Sequence, residues 1–428
     1  MRPEQLSDAL NYLEEDLIAE AAAVRDHSKA RRPSWQKWGA LAACLAVAVF
    51  AGTRLLPGEA LPKPGNPPRP GASGPSQPVQ GGELPTLTIQ WDTSGGMGFE
   101  GYMAFDIAEL GGNNPWTEEA ELSTLPVYKN PLTYDEQHRA TGANWRRMKA
   151  LLLDVAGKLG LDTQNLPITD NTPSQEQQQA IREKFAAVGD TVPEGYFDPT
   201  TLIIEGEGVT VEVDQTLTAR IDFDPPVALP EGYNFTHYAT RAEKRKAADW
   251  LSTQYGLVSG MAKPLLDQGM GDRNIYQEQS FDTEFYDGMG TLEEQIVSFN
   301  FNRVAFYCND EGKLFLARVY APDLSQKLGD YPIITPEAAK ELLLAGNYAT
   351  SVPYAMPGEE HIAKVELVYR TGSHEGIWLP YYRFLVYLPE EENVATQYGM
   401  KSYGAYYVPA VDGKYIANMP TYDGSFNY

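Results

Sequence analysis

Residues 38–56 read WGALAACLAVAVFAGTRLL, an apolar run closed by Pro57, and the architecture inferred for the whole chain turns on it. As a helix the 19 residues from Trp38 to Leu56 would extend about 28 Å, close to the hydrocarbon thickness of a bilayer once Arg54 snorkels to its edge. Trp35 and Trp38 stand where an interfacial aromatic belt belongs, so a single transmembrane helix is expected. Lys29, Arg31, Arg32 and Lys37 crowd the entry side. Arg54, Lys63 and Arg69 are spread thinly after it. The positive-inside bias therefore predicts a cytoplasmic N-terminus and an extracellular C-terminal body. Leu41-Ala42-Ala43-Cys44 matches a lipobox in letters, but Leu45 to Gly52 continue the apolar run past the cysteine. Some 37 mostly polar residues precede the run, unlike a cleaved signal peptide.

Working outward, residues 1–37 form a predicted cytoplasmic helix with a basic flank. Leu6, Leu10, Leu13 and Leu17 share one stripe and make a candidate partner-helix face. An isolated helix of about 20 residues is marginal in water, so the stripe reads equally as a partner surface or as a fraying, solvated helix with no partner. Residues 57–83 carry eight prolines and six glycines and read as a semi-extended stalk. Residues 1–37 sum to −1 and 38–83 to +1, so the formal charge of −24 belongs to the body beyond the stalk. With 34 Lys and Arg against 58 Asp and Glu, that body repels a polyanion, and no nucleic-acid partner is expected.

The opening EQLSDALNYLEEDLIAEAAAVR, its basic stretch and KWGALAACLAV resemble the start of single-pass, anti-sigma-like or uncharacterised membrane proteins of Gram-positive anaerobes. The resemblance covers about 55 residues and implies topology. The HxxxCxxC motif of zinc anti-sigma factors is absent.

Within the body, helical patterns alternate with strands. Asn144 to Leu159, Gln175 to Val188, Arg241 to Tyr255 and Ala338 to Leu344 read as helices, the last behind the cap Thr335-Pro336-Glu337. Thr201 to Glu205, Val209 to Val213 and Thr216 to Asp222 read as strands. Gln295 to Cys308 with Lys313 to Tyr320 reads as a long hairpin. His361 to Tyr369 with Leu379 to Leu388 is predicted as a second, and Tyr403 to Pro409 with Lys414 to Ile416 as a third. FYCNDEGKLFLA and YYVPAVDGKYIA are alike, suggesting duplicated helix-plus-hairpin units. The expected fold class is α+β: antiparallel sheets with helices on one face, in lobes of residues 84–230 and 231–428, the second divisible into 231–330 and 331–428.

ITPEAAKELL, AKVELVYR, LPYYRFLV and YYVPAVDGKYI resemble, over about 90 residues, the YycI/YycH-type regulators of a cell-wall histidine kinase and, more loosely, PepSY-type modules. Those are single-pass proteins with noncatalytic ectodomains, which is what the resemblance implies here.

No catalytic constellation is legible. Gly96-Met97-Gly98-Phe99-Glu100-Gly101 satisfies GxGxxG, but Asp92 to Gly95 interrupt the preceding strand and Pro115 breaks the crossover helix. Ser34-Trp35-Gln36-Lys37 matches SxxK only in letters at the membrane entrance, and no GxSxG elbow occurs. The five histidines are scattered, and the two cysteines, Cys44 and Cys308, form no zinc spacing, so no metal or cofactor is expected. Cys308 reads as a buried structural thiol. Tyr381, Tyr382, Tyr403, Tyr406 and Tyr407 are a candidate ligand platform, with alternate rings on opposite faces. The expected function is a noncatalytic, membrane-anchored extracellular sensing or protein-interaction module, regulating a cell-envelope signalling partner. A surface hydrolase or a glycan- or peptide-binding protein of the envelope is the alternative, its carboxylates hidden among the 58 acidic residues.

Overall fold

The computed structural model describes residues 83–90, 100–134, 140–141, 144–192, 196–273, 278–372, 375–391 and 399–424. The predicted partner-helix leucines, the membrane helix 38–56, nearly all of the stalk and most of the GxGxxG stretch lie outside them. Among the described residues no helix is long and apolar enough to cross a membrane. The expected architecture of a transmembrane helix followed by an α+β body is corrected accordingly. The described residues form mainly antiparallel sheet with five α-helices.

The largest sheet has eight strands: β5 (Thr169–Asp170), β6 (Thr201–Gly206), β7 (Val209–Asp214), β8 (Thr218–Val227), β9 (Pro264–Asp267), β12 (Glu284–Asp287), β13 (Arg303–Cys308) and β14 (Leu314–Tyr320). Their spatial order is β5-β6-β7-β8-β14-β13-β12-β9. A five-stranded sheet joins β1 (Gly101–Ala104), β16 (Ala349–Thr350), β17 (Ile362–Tyr369), β19 (Pro380–Tyr387) and β20 (Lys401–Pro409). A three-stranded sheet places β2 (Thr124–Lys129) between β15 (Lys327–Pro332) and β18 (Ile377–Trp378). Two ribbons complete the strands: β3 (Thr133–Tyr134) with β4 (Ala140–Thr141), and β10 (Met270–Arg273) with β11 (Gln279–Phe281). The eight-stranded sheet takes strands from both sides of residue 230, so that position does not separate the sheets.

The helices are α1 (Trp145–Lys158), α2 (Gln175–Ala187), α3 (Arg241–Tyr255), α4 (Leu292–Phe301) and α5 (Pro336–Leu344). Asn144, Ser174, Thr240, Thr291 and Thr335 cap them, each side chain accepting a hydrogen bond from the first turn. Met148, Leu152 and Val155 of α1 and Ala247, Ala248 and Leu251 of α3 bury against Ile204, Val211, Ile221, Phe306 and Val319 of the large sheet. This first core holds two helices on one sheet face. Helix α2 has no buried residue and stands outside it.

Helix α4 breaks both the one-face rule and the predicted hairpin. Residues 295–301 alternate like a strand, yet Thr291 and Glu294 form a capping box, and the chain is helical to Phe301 before β13 begins at Arg303. Ile296 and Phe301 enter a second core with Tyr128, Leu343, Leu367, Phe384, Val386 and Tyr406, against one face of the five-stranded sheet. A third core, containing Leu87, Tyr331, Leu385, Tyr381, Tyr403 and Tyr407, covers its opposite face. The internal duplication is likewise corrected. Phe306 to Ala317 is a hairpin of β13 and β14, but Tyr406 to Ala417 runs from β20 into a 3-10 turn at Gly413–Tyr415. β20 takes its partners from β19, β1 and β16 instead.

Candidate recognition pocket

A cavity of about 230 Å³ lies where the β7–β8 turn, the residues after β14 and the start of α1 meet the ends of β2 and β18. Asn130, Leu132, Gln215, Leu217, Tyr320, Asp323, Thr371 and Trp378 contribute its chemistry. Ligand sites are typically concave, mostly apolar clefts with a few placed polar groups.

The β7–β8 turn is built by Asp214. Its Oδ1 accepts from the Thr216 amide at 2.8 Å, the Thr216 hydroxyl at 2.6 Å and the Thr218 amide at 3.2 Å. Those bonds hold Leu217 at φ +61°, the one non-glycine residue with positive φ among the described residues. The left-handed conformation costs an L residue about 1–2 kcal/mol, and such strain persists only where surrounding structure over-determines it. The turn pushes Leu217 into the first core and sets Gln215 on the cavity wall. Gln215 Oε1 is buried and has no hydrogen-bond partner among the described residues. An unpaired buried acceptor costs about 1–3 kcal/mol and calls for a donor.

The other walls are internally satisfied. Asn130 Nδ2 donates to the Glu375 carbonyl at 2.9 Å, while its Oδ1 accepts from the Leu132 amide at 3.0 Å. Asp323 pairs with Arg147 Nη1 at 2.6 Å. Among the described residues it is the one carboxylate lining the cavity. Trp378 Nε1 donates to the Gly372 carbonyl at 3.4 Å, and its ring packs 5.4 Å from Phe301. Burial raises the Tyr320 hydroxyl to about 12, a hydrogen bond with Thr371 offsetting part of the rise, so it stays protonated at any physiological pH.

The five tyrosines named as a ligand platform lie elsewhere, at 0–6% exposure. Their alternation is visible: Tyr382 and Tyr406 face the second core and Tyr381, Tyr403 and Tyr407 the third. Both faces of that sheet are covered, so the rings pack inside and offer no platform to solvent. The Tyr407 hydroxyl donates to Glu100 at 2.5 Å, as does that of Tyr102 at 2.9 Å. Glu366 Oε2 accepts from Arg383 at 2.5 Å and its Oε1 from Lys364 at 2.5 Å. Burial would raise the Glu366 carboxyl, but Arg383 and Lys364 override it and hold the group below its ordinary value. Among the described residues these groups pair with one another.

A second acidic group surrounds Arg303, which bonds Asp267 at 2.8 Å and Glu284 more closely. Asp282 is pushed up to about 6, by desolvation first and by Glu284 and Asp267 next. Of the histidines, His237 stacks edge-on against Tyr238, and His361 Nε2 lies 3.5 Å from Glu360. Among the described residues no three His, Cys, Asp or Glu side chains are placed to hold a metal ion. Cys308 is half-buried at the end of β13, with Lys244 Nζ 3.5 Å from its sulfur.

Sequence reading did not single out Gln215, Leu217, Tyr320 or Asp323. The Asp-Gln-Thr-Leu turn after a strand was the available signal, but which of its residues takes the left-handed conformation depends on the sheet it joins.

Neither a family model nor a curated protein matches this chain. Among solved structures it is similar to an uncharacterised protein from Eubacterium rectale, at 10% identity and a TM-score of 0.30, over 68% of this chain and 85% of that one.

Proposed function

We propose that the protein is a noncatalytic sensing or protein-interaction module whose pocket takes a basic side chain of a partner protein or peptide. The observation that carries this is the buried, unpartnered Gln215 Oε1 in the wall of the cavity. That oxygen is covered by its neighbours in the free protein, so a partner's ammonium or guanidinium reaches it only as the wall yields, and then supplies the missing donor. The volume of about 230 Å³ fits one long side chain better than a whole drug-sized ligand, whose pockets run to about 300–1,000 Å³. Tyr320 and Trp378 supply aromatic surface, and a chain of net charge −24 attracts cationic partners from a distance. Acid–base catalysis would need two titratable groups tuned apart at one cleft, whereas this wall carries Asp323, already paired, and a tyrosine that keeps its proton.

The test is calorimetric titration of the full chain with hexalysine and hexa-arginine peptides, with hexaglutamate as the control. Saturable binding of the basic peptides, weakened at least tenfold in Gln215→Met, is expected. Equal binding by that variant, or cleavage of the peptides, overturns the proposal.

A further inference from the structure

Away from the pocket, Lys244 of α3 is 4% exposed, an unusual depth for a lysine. Among the described residues no carboxylate stands within ion-pair distance of it. Its Nζ lies 4.6 Å from the centre of the Phe235 ring, and its one hydrogen bond runs to Cys308 Sγ at 3.5 Å. A buried amine is thus held beside a half-buried thiol that the chain reaches 64 residues later.

We infer that Lys244 and Cys308 form an oxidation site, which a peroxide converts into a covalent sulfenamide joining α3 to β13. Hydrogen peroxide supplies the two-electron oxidation. The sulfur attacks one peroxide oxygen, the O–O bond breaks, and the thiol becomes a sulfenic acid with release of one water. The lone pair of the neutral Lys244 amine then attacks sulfur. An S–N bond forms as the S–O bond breaks, and the departing hydroxide takes the amine proton to leave as a second water. Two external thiols reverse the step, returning amine and thiol and leaving as a disulfide. Burial favours the uncharged amine by lowering its affinity for a proton, although Cys308 and Asp282 act in the opposite sense. The alternative, a lysine and a cysteine that merely fill space together, predicts none of this chemistry.

The experiment treats the purified full chain with a small excess of hydrogen peroxide and digests it with trypsin in the absence of reductant. The expected product is a peptide pair joined through residues 244 and 308, lighter than its components by two hydrogens, uncleaved after Lys244 and separated by dithiothreitol. Lys244→Arg should lose the cross-link and leave a dimedone-reactive sulfenic acid at Cys308. Recovery of Cys308 from oxidised, folded wild-type protein unmodified, as sulfinic or sulfonic acid, or in a disulfide with Cys44, overturns the proposal.

Discussion

Replacing Gln215 with methionine should make the protein more stable and a poorer binder at once. The wild-type residue holds a buried oxygen with no donor, an arrangement that costs about 1–3 kcal/mol relative to a paired or apolar atom. Methionine matches the length of the glutamine side chain and carries no strong acceptor, so most of that cost disappears, while loss of whatever the amide nitrogen contributes takes back a part. A net gain of about 1 kcal/mol follows. In chains of 150–250 residues this moves Tm by roughly 2–4 °C, and by somewhat less in one this long. Against hexalysine the same change removes one charge-assisted hydrogen bond, about 1.5–3 kcal/mol, or roughly 10- to 150-fold in Kd. Urea denaturation and calorimetric titration on the same preparations measure both. A variant that is less stable than wild type would refute the reasoning, since it would mean that the oxygen already has a partner.

Other perturbations follow from the same geometry. Because Leu217 sits at φ +61°, Leu217→Gly should be more stable than Leu217→Ala by about 1 kcal/mol in urea, the reverse of the usual order. Removing Glu366 as alanine leaves Glu100 Oε1, 3.9 Å away, as the remaining ion-pair partner of the partly buried Arg383, and should cost about 3 kcal/mol by denaturant midpoint. Gly404→Ala would drive a Cβ to 2.6 Å from Val352 and 3.1 Å from Leu388, so a loss of about 1–3 kcal/mol is expected in thermal unfolding. The Asp282 carboxyl is raised in the folded state from 3.8 to about 6, so the native protein binds the proton more tightly than the unfolded chain. Its contribution to stability is therefore present at low pH and fades between about pH 4 and 6, and Asp282→Asn should flatten that part of the stability profile.

Local chemistry was legible where it acts over a few residues. Helix α3 occupies the predicted Arg241 to Tyr255, since Thr240 caps it and its apolar spacing points one way. The hairpin of β17 and β19 stands where alternation placed it. Residues 295–301 read as strand and fold as helix because the capping box at Thr291 and Glu294 combines with a core that accepts Ile296 and Phe301 from a helical stripe. The tyrosines show the same limit from the other side. Period two correctly divides Tyr381 from Tyr382, but whether either face is open depends on what packs over it, and the second and third cores cover both.

By itself the sequence determined where α1, α2, α3 and α5 stand, the strands β6, β7, β8, β13, β14, β17, β19 and β20, the strongly acidic balance and the absence of any familiar catalytic motif, most of which depend on neighbours along the chain. Only tertiary structure decided that β20 pairs with β1, β16 and β19, that Lys244 meets Cys308, and that Gln215, which shares a cavity wall with Tyr320 and Trp378, has a side-chain oxygen without a partner among the described residues. Those contacts join residues tens to hundreds of positions apart. Their energies are set by burial and by which polar groups find partners, quantities that exist only once the sheets have packed.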